Sequence, residues 1–350
     1  MVQPFENMAE YNDLIIVNTS NDLSALFLEG TIIKPELASY SMMRDWLEAC
    51  RTDPGHQRFC SLAQAIRPPG LRLIDVSTGD VVSAPEDACY VALSYVWGGD
   101  PSDGFAQVIL DSMEVAKQLG YSYLWVDQHC IDQQDSADKL AQISNMHLVY
   151  GCADLTLVAA AGQDSSYGLP GVSIRSRIPP RFERLGDLVV LCPTPDGGTA
   201  MESSRWPTRG WTYQEAMLSR RRLVFTDYHV EFQCNRESFC EGLRAEMGGS
   251  PFELIVFNSS SAFNLGRALS EYSTRNLSHE SDRLNAVLGI LGKQESLTPP
   301  AYHIWGTPVQ QVTEGWALAL GWGSYRQQKP RRRNPEFPSW SWIGWAGPTE

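Results

Sequence analysis

Apolar and polar positions alternate along the first half of the chain in a way that predicts strands separated by helices. Three short apolar runs, Cys89–Tyr95, Tyr121–Asp127 and Asp154–Ala161, are typical of buried strands. Phe105–Leu119 carries apolar residues three and four positions apart, which predicts an amphipathic helix. A second helix is predicted to run to about Tyr150, with Asp135 or Ser136 as the residue that caps its first turn. Strands separated by helices of this length predict a parallel sheet with right-handed crossovers.

The second half of the chain is less regular. Arg222–Thr226 and His229–Cys234 predict a β-hairpin, residues 252–324 predict helices, and Pro338–Trp342 predicts a Trp-rich strand that returns to the core. We therefore predict three parts: an N-terminal extension packed on the core (1–85), an α/β core (86–235), and a helical elaboration with a C-terminal Trp-rich strand (236–350).

Composition narrows the class of protein. Eleven Trp among 350 residues and a hydrophobic content of 43% exclude a disordered chain. Acidic residues outnumber basic ones by 41 to 28, and a net charge of -13 argues against nucleic-acid binding. The basic runs Arg220–Arg222 and Arg331–Arg333 are expected to be solvated ends of helices or loops.

The sequence shows neither a targeting signal nor a regular metal-binding motif. The sequence contains no long apolar run and no signal peptide, so we expect no membrane association and a cytoplasmic protein with reduced thiols. Cys50, His56 and Cys60 are of the type that binds zinc, but their spacing is irregular and a fourth ligand is not evident. We expect a buried thiol pair beside a surface histidine, and no metal site.

Candidate site residues follow the ends of the first two predicted strands. In open parallel sheets, ligands bind outside the carboxyl ends of the strands. The residues at these ends are Ser94, Tyr95, Trp97, Gly98, Gly99 and Asp127. Gly98 and Gly99 would let the backbone approach a phosphate, although they lack the full dinucleotide fingerprint. Asp127 could hold a ribose hydroxyl or a backbone amide at a helix start, and the second role is favoured.

A second candidate region is the stretch Arg209–Glu215. One helical turn separates Trp211 from Glu215, so both side chains are expected on one face. An aromatic ring beside a carboxylate suits a positively charged sugar ring. The alternative is a core Trp with a solvated Glu, which is the commoner arrangement for an isolated pair of this kind.

Taken in order, the motifs of the chain resemble those of the fungal heterokaryon-incompatibility (HET) domain family over residues 88–345. The motifs are Tyr90–Gly98, Leu124–Gln133, Arg209–Glu215, Tyr272–Arg275 with Asp282 and Arg283, and Pro338–Trp342. The upstream segment Leu71–Asp75 resembles the one found before such domains. The resemblance implies a TIR- or flavodoxin-like α/β fold, whose mostly parallel sheet is flanked by helices and extended by a β-hairpin and a C-terminal helical elaboration. It also implies a role in fungal non-self recognition and programmed cell death.

The resemblance extends to a candidate reaction. HET domains are regarded as distant relatives of TIR domains, whose enzymatic members cleave the nicotinamide–ribose bond of NAD with a helix-borne glutamate after an aromatic residue. Trp211–Glu215 is similar to that pattern, with Thr212 in place of a cysteine. Glu215 would then be the catalytic carboxylate, NAD a substrate rather than a cofactor, Arg209 a partner of the pyrophosphate, and Trp97 or Trp211 a stacking platform. Arg209 could instead bridge a loop carboxylate, and Trp97 could fill the core.

A non-catalytic interaction module is the alternative function. The same crevice would then bind a signalling protein, and in either case activation would need self-association or a separate protein partner. The enzyme hypothesis predicts a partly exposed Glu215 in a crevice with Trp97 or Arg209 close by. The interaction hypothesis predicts a Glu215 that is buried in a salt bridge or solvated away from any pocket.

Overall fold

The computed structural model describes residues 15–18, 36–61, 67–98, 104–185, 188–192, 194–195, 197–241, 262–295, 300–312, 315–322 and 332–347. The strands are β1 (Ile15–Asn18), β2 (Arg72–Asp75), β3 (Val81–Ser83), β4 (Tyr90–Ser94), β5 (Tyr123–Trp125), β6 (Leu155–Ala159), β7 (Arg181–Leu185), β8 (Leu188–Cys192), β9 (Arg221–Phe225), β10 (Val230–Cys234), β11 (Ser238–Cys240), β12 (Ala301–Ile304), β13 (Thr307–Val312) and β14 (Gly315–Leu318). The α-helices are α1 (Tyr40–Thr52), α2 (Pro54–Cys60), α3 (Gln107–Gln118), α4 (Asp127–Cys130), α5 (Ser136–Ser144), α6 (Met146–Cys152), α7 (Gly197–Glu202), α8 (Gly210–Leu218), α9 (Ala262–Ser273) and α10 (Asn285–Glu295). Short 3-10 helices cover Trp206–Thr208, Glu280–Arg283 and Trp342–Gly344.

The central sheet has eight strands in the order β11-β10-β9-β6-β4-β5-β2-β3. Its middle strands β5, β4, β6 and β9 run parallel to one another, as the strand-helix alternation predicts. Antiparallel strands extend both edges of this parallel centre. The α/β class and the hairpin β9–β10 are therefore confirmed, and the strands β2 and β3 of the predicted N-terminal extension belong to this sheet.

Alternate residues of the central strands face two different hydrophobic clusters. Leu157 of β6 and Leu223 of β9 belong to the main core, which also contains apolar residues of α1, α3 and α6. Their neighbours Val158 and Val224 belong to a smaller cluster with Ala216 of α8. Because successive side chains of a strand point to opposite faces, the sheet is covered on both sides. A further cluster joins α8, α9 and α10 to the C-terminal 3-10 helix.

The helix predicted after Asp135 is divided in two at Asn145. Asp135 caps α5 as predicted, and its carboxylate accepts hydrogen bonds from the backbone amides of Ala137 at 2.9 Å and Asp138 at 3.1 Å. Asn145 then ends α5 and begins α6.

Two predictions for the C-terminal part are wrong. Residues 301–318 lie in the range predicted as helical, but they form the antiparallel strands β12, β13 and β14. The hairpin turn between β12 and β13 is made by Trp305 at φ 48° and Gly306 at φ 75°, a left-handed pair that matches the twist of a hairpin. The Trp-rich segment Pro338–Trp342 forms turns that lead into the 3-10 helix Trp342–Gly344 rather than a strand, and the indole of Trp342 donates to Gly306 O at 2.8 Å.

The expectation of a solvated basic run at Arg220–Arg222 is also wrong. The exposed fractions of Arg220, Arg221 and Arg222 are 9%, 5% and 2%. Their guanidinium groups bind main-chain carbonyls, such as Cys60 O at 3.0 Å from Arg220 Nη1 and Ser219 O at 3.0 Å from Arg222 Nη1. These hydrogen bonds offset much of the cost of burying the guanidinium groups, although Arg220 Nε and Arg222 Nη2 have no hydrogen-bond partner among the described residues. Among the described helices, none has both the length and the apolar character needed to cross a membrane.

Candidate active site at the carboxyl edge of the sheet

Glu215 lies in the middle of α8 against the end of β4. Ser94, the last residue of β4, pairs in register with Val158, so its side chain points to the face of the sheet that α8 covers. The Ser94 hydroxyl donates a short hydrogen bond to Glu215 Oε2 and accepts one from the Trp206 indole at 2.8 Å. Glu215 is 5% exposed and Ser94 is fully buried. A serine held from both sides therefore fixes the carboxyl group of Glu215 to the sheet.

The protonation of Glu215 is set by burial. Burial raises the pKa of Glu215 to about 7, with the negative charge of Asp127 acting in the same direction. The hydrogen bond from Ser94 and the positive charge of Arg209 act against this increase in pKa. Glu215 therefore changes protonation near neutral pH, where a general acid or base is most effective.

Asp127 provides a second carboxyl group at the same edge. It begins α4 directly after β5, and its carboxylate accepts the Trp97 indole N–H at 2.8 Å and the backbone amide of Gln128 at 2.7 Å. Burial raises the pKa of Asp127 to about 6, although the Trp97 and Gln128 hydrogen bonds and the charge of Arg209 oppose the shift. Asp127 is only half-buried, so it is the carboxyl group of the pair that faces solvent.

Arg209 is fixed by the turn that begins α8. The amide of Gly210 donates to Asn276 O at 2.7 Å, and the amide of Asn276 donates to Thr208 O at 2.6 Å. A Cβ atom on Gly210 would lie 2.5 Å from the Leu277 side chain, so the close approach of these two segments requires a glycine. The charge of Arg209 lowers the pKa of both Asp127 and Glu215, which places its guanidinium near both carboxyl groups.

The structure brings most of the predicted site residues together, with different roles. Tyr95 is buried and donates to Gln128 Oε1 at 3.1 Å, which supports α4. Trp97 is 41% exposed and is not a core residue. Gly98 has φ 128°, a conformation that other residues rarely adopt, and its carbonyl accepts a hydrogen bond from the Ser165 hydroxyl. Gly99 lies outside the described residues.

Trp211 and Glu215, one helical turn apart in α8, differ in burial. It is half-buried and packs against both the main core and the cluster of α8, α9 and α10. Neighbours one helical turn apart need not share an environment when a helix is buried on all sides, and every residue of α8 except Trp211 is buried. Trp211 therefore serves packing between the two halves of the molecule.

Sequence reasoning missed Trp206, whose indole is linked to Glu215 by a hydrogen bond to Ser94. It is 1% exposed and reaches Glu215 through Ser94. It also missed Tyr150, which is 1% exposed and whose side-chain hydrogen bond lowers the pKa of Glu215. The Trp206-Pro207 pair, which is typical of a helix start, could have pointed to Trp206. No local pattern could have pointed to Tyr150, because it lies in α6, far from Glu215 in the sequence.

The exposure predicted by the enzyme hypothesis is not observed. We expected Glu215 in an open crevice, but its carboxyl group is enclosed, and a small cavity beside Trp206 and Ala216 has a volume of about 10 Å³, too small for a nucleotide. A larger groove of about 470 Å³ lies at the opposite, amino edge of the sheet, where it is lined by Arg51 and Tyr121. Neither is Glu215 in a salt bridge with any described residue, so its geometry matches neither hypothesis fully.

Comparisons with known proteins bear on the same region of the chain. Residues 90–215, from the first residue of β4 to Glu215, match the family model of the heterokaryon incompatibility protein (HET). The chain is also similar to vegetative incompatibility protein HET-E-1 of Podospora anserina, at 26% identity over 216 residues. That match covers 57% of this chain and 14% of the relative, so the chain spans only a small part of the relative's length. No solved structure matches the chain. The resemblance drawn from the motifs is thus confirmed for residues 90–215, which match the HET family model.

Proposed function

We propose that this chain acts in fungal non-self recognition. The observation that carries the proposal is the family match, which covers the parallel strands β4, β5 and β6 and ends at Glu215. The name of the similar Podospora protein, a vegetative incompatibility protein, supports the same role. A signal from this segment would pass through self-association or a separate protein partner.

Expression in a filamentous fungus tests this role. Induction of the full chain from a regulated promoter is expected to arrest growth and reduce viability. A variant with a damaged HET fold, Gly210→Leu, should be inactive because its side chain would collide with Leu277. Unchanged growth at protein levels confirmed by immunoblot, alone and in strains of different incompatibility type, would contradict the proposal.

Hydrolysis of NAD through Glu215 is a second candidate function. The observation in its favour is a pair of carboxyl groups whose pKa values are raised to about 7 for Glu215 and about 6 for Asp127, beside the cation Arg209. When nicotinamide leaves NAD, the ribose becomes cation-like, and a fixed carboxylate stabilises that charge. Arg209 would bind the pyrophosphate, and the exposed Trp97 would stack on a ring of the dinucleotide.

Burial limits how this reaction could proceed. At 5% exposure, Glu215 reaches a substrate only after a side chain of the edge moves. Trp97, which is 41% exposed and hydrogen-bonded to Asp127, is more exposed than Tyr95, Tyr150 and Trp206 and is the side chain we expect to move. Asp127 would meet the ligand first, and Glu215 would act after Trp97 has turned outwards. Such a rearrangement fits an enzyme that is inactive until a partner or self-association triggers it.

The test compares nicotinamide release by concentrated protein and by protein clustered through a fused dimerisation module. Glu215→Gln keeps the size and hydrogen-bonding ability of the side chain and should abolish release, whereas the exposed Glu202→Gln is the matched control and should not change it. Asp127→Asn is expected to weaken NAD binding in a calorimetric titration. Equal release by wild type and Glu215→Gln would remove Glu215 from the mechanism. Absence of release together with growth arrest in the fungus would favour the non-catalytic interaction module.

A further inference from the structure

A cluster of four buried metal-ligand side chains lies far from the carboxyl edge. We call it the Cys3His cluster; its members are Cys50, His56, Cys60 and Cys234. Their ligand atoms all lie within 4.8 Å of one another, and the four residues are at most 5% exposed. The three cysteines are free thiols.

The distances in this cluster suit a tetrahedral ion. With metal–sulfur bonds of about 2.3 Å and metal–nitrogen bonds of about 2.0 Å, neighbouring ligand atoms should be separated by roughly 3.6 to 3.8 Å. His56 Nδ1 lies 3.4 Å from Cys234 Sγ. The cluster therefore needs only small side-chain rotations to surround a metal ion.

We propose that the Cys3His cluster binds one zinc ion as a structural site. Three thiolates and one imidazole are soft and borderline ligands that select zinc among the common divalent ions, and four protein ligands leave no open position for a substrate. This proposal is independent of the function proposed for the carboxyl edge.

The histidine has the partner expected of a metal ligand. Nδ1 of His56 faces the thiols, and Nε2 lies 3.3 Å from a carboxylate oxygen of Glu237. A zinc-bound histidine commonly donates its second ring N–H to a carboxylate, which fixes the tautomer and strengthens the ligand. Glu237 would accept this N–H and leave Nδ1 free to bind the metal.

The turn that follows β10 supplies hydrogen-bond donors to one of the sulfur atoms. The backbone amides of Arg236 and Glu237 each donate to Cys234 Sγ at 3.4 Å. Such donors stabilise a metal-bound thiolate at Cys234.

Arg221 Nε lies 3.2 Å from Cys50 Sγ and supplies a positive charge. Three thiolates around a divalent cation carry a net charge of about -1, which this guanidinium offsets.

The elements that carry the ligands indicate what the ion would do. Cys50 lies in α1, His56 and Cys60 lie in α2, and Cys234 ends β10 on the hairpin side of the central sheet. The ion would therefore join the helix pair α1–α2 to the sheet at a point distant in sequence. Metal binding at such a point stabilises the folded chain because the unfolded chain does not hold the four ligands together.

This proposal reverses the sequence-based expectation of no metal site. The first three ligands fall within eleven residues, but the fourth, Cys234, is 174 residues beyond Cys60 and is brought in by the pairing of β10 with β9. The histidine expected at the surface is also buried, at 5% exposure.

Metal content and cobalt substitution test the site on the full chain. Protein purified under reducing conditions without chelators should contain one zinc per chain by mass spectrometry of the elements. Replacement of zinc by Co²⁺ should give the strong visible bands of tetrahedral cobalt together with thiolate-to-cobalt charge-transfer absorption. Absence of both signals in folded wild-type protein would overturn the proposal, as would a disulfide between two of the three cluster cysteines.

Zinc binding by single variants shows which residues are ligands and which are not. Cys234→Ser and Cys60→Ser should lose stoichiometric zinc, whereas the matched control Cys130→Ser, a buried cysteine outside the cluster, should keep it. Glu237→Gln keeps all four ligands and should weaken zinc binding by about tenfold in competition with a coloured chelator, the low end of such effects because Glu237 is half-exposed. Loss of zinc from Cys130→Ser, or full retention in Cys234→Ser, would assign the metal to a different set of residues.

Discussion

Acidic side chains at the two edges of the parallel strands have different partners. At the amino edge, Asp154 precedes β6 and forms ion pairs with Arg51 at 2.6 Å and Arg221 at 2.8 Å, with a further hydrogen bond from the Tyr121 hydroxyl at 2.7 Å. At the carboxyl edge, Glu215 accepts a hydrogen bond from the Ser94 hydroxyl, and no described guanidinium lies within ion-pair distance of it.

The pKa values follow this difference. Burial acts to raise the pKa of Asp154, but the hydrogen bonds from Arg51 and Tyr121 and the charge of Arg221 outweigh it, so the pKa is lowered. The pKa of Glu215 is raised because burial is not offset by a direct positive partner. An acidic side chain that is paired with cations and hydrogen-bond donors has a structural role. Two acidic side chains without a direct cationic partner at the carboxyl ends of strands are typical of a functional site.

Removal of Asp154 should have the largest effect on stability. Asp154→Asn leaves the guanidinium of Arg221, which is 5% exposed, without its charged partner, and we expect a loss of about 4 kcal/mol in the free energy of unfolding. Urea denaturation followed by circular dichroism measures the loss. The control is Asp138→Asn, which breaks the more exposed pair with Arg72 at 3.0 Å and should cost less than about 1 kcal/mol. Equal losses in both variants would remove the distinction between structural and exposed pairs on this protein.

We expect the acidic residues of the two edges to affect the pH dependence of stability in different ways. The folded protein keeps the proton of Glu215 up to about pH 7, whereas the unfolded chain releases it near 4.5, the ordinary pKa of a glutamate. The folded state therefore binds more protons between these values, and stability should fall by on the order of 3 kcal/mol as the pH rises from 4.5 to 7. Asp127 adds a loss of the same sign as the pH rises from 3.8 to about 6.

Asp154 has the opposite effect on stability, and it acts at a lower pH than Glu215. Its lowered pKa gives stability that is present above pH 3.8 and lost as the pH falls below it, so it contributes no slope between about pH 5 and 7. Urea unfolding at several pH values checks both statements. Glu215→Gln should remove most of the decrease between about pH 5 and 7, and a slope that is unchanged in this variant would assign it to other groups.

Ser94→Ala should have an intermediate effect. The change leaves two buried polar groups, the carboxyl of Glu215 and the indole N–H of Trp206, without the hydroxyl that joins them, at an expected cost of about 2 kcal/mol. It should also raise the pKa of Glu215 further, because the lost hydrogen bond favours the carboxylate. Infrared titration of the carboxyl band reports the pKa. Ser112→Ala is the control, since the Ser112 hydroxyl binds only Val108 O within its own helix and its loss should be nearly neutral.

Local periodicity was sufficient to predict the parallel direction of the central strands and the hairpin β9–β10, but not the separate sheet of β12, β13 and β14. β4, β5 and β6 are continuous apolar runs between helices, so their direction followed from spacing, whereas their order β6-β4-β5 was not predicted. The hairpin turn at Trp305-Gly306 was missed because a Trp at positive φ is rare, and the usual hairpin signals are Asn-Gly or Asp-Gly.

The candidate site was predicted where its residues follow a strand end and was missed where tertiary contacts decide. Ser94 and Asp127 come directly after strands, and both lie at the carboxyl edge. The surroundings of Glu215 are formed by Ser94, Tyr150 and Trp206, which come from separate segments of the chain that no local pattern brings together. Trp206, which reaches Glu215 through Ser94, was missed for the same reason.

Trp97→Phe should have the smallest effect on stability and the most specific effect on the site. Trp97 is 41% exposed, so loss of its hydrogen bond to Asp127 should cost less than about 1 kcal/mol. The pKa of Asp127 should nevertheless rise above its value of about 6, because the indole N–H stabilises the carboxylate. Carbon-detected NMR titration of the carboxyl groups measures this pKa directly, and the pKa of Asp154 at the other edge serves as the internal control. If the Asp127 pKa does not move while the fold is intact, Trp97 is a surface residue without influence on the acidic pair, and the comparison between the edges rests on Glu215 alone.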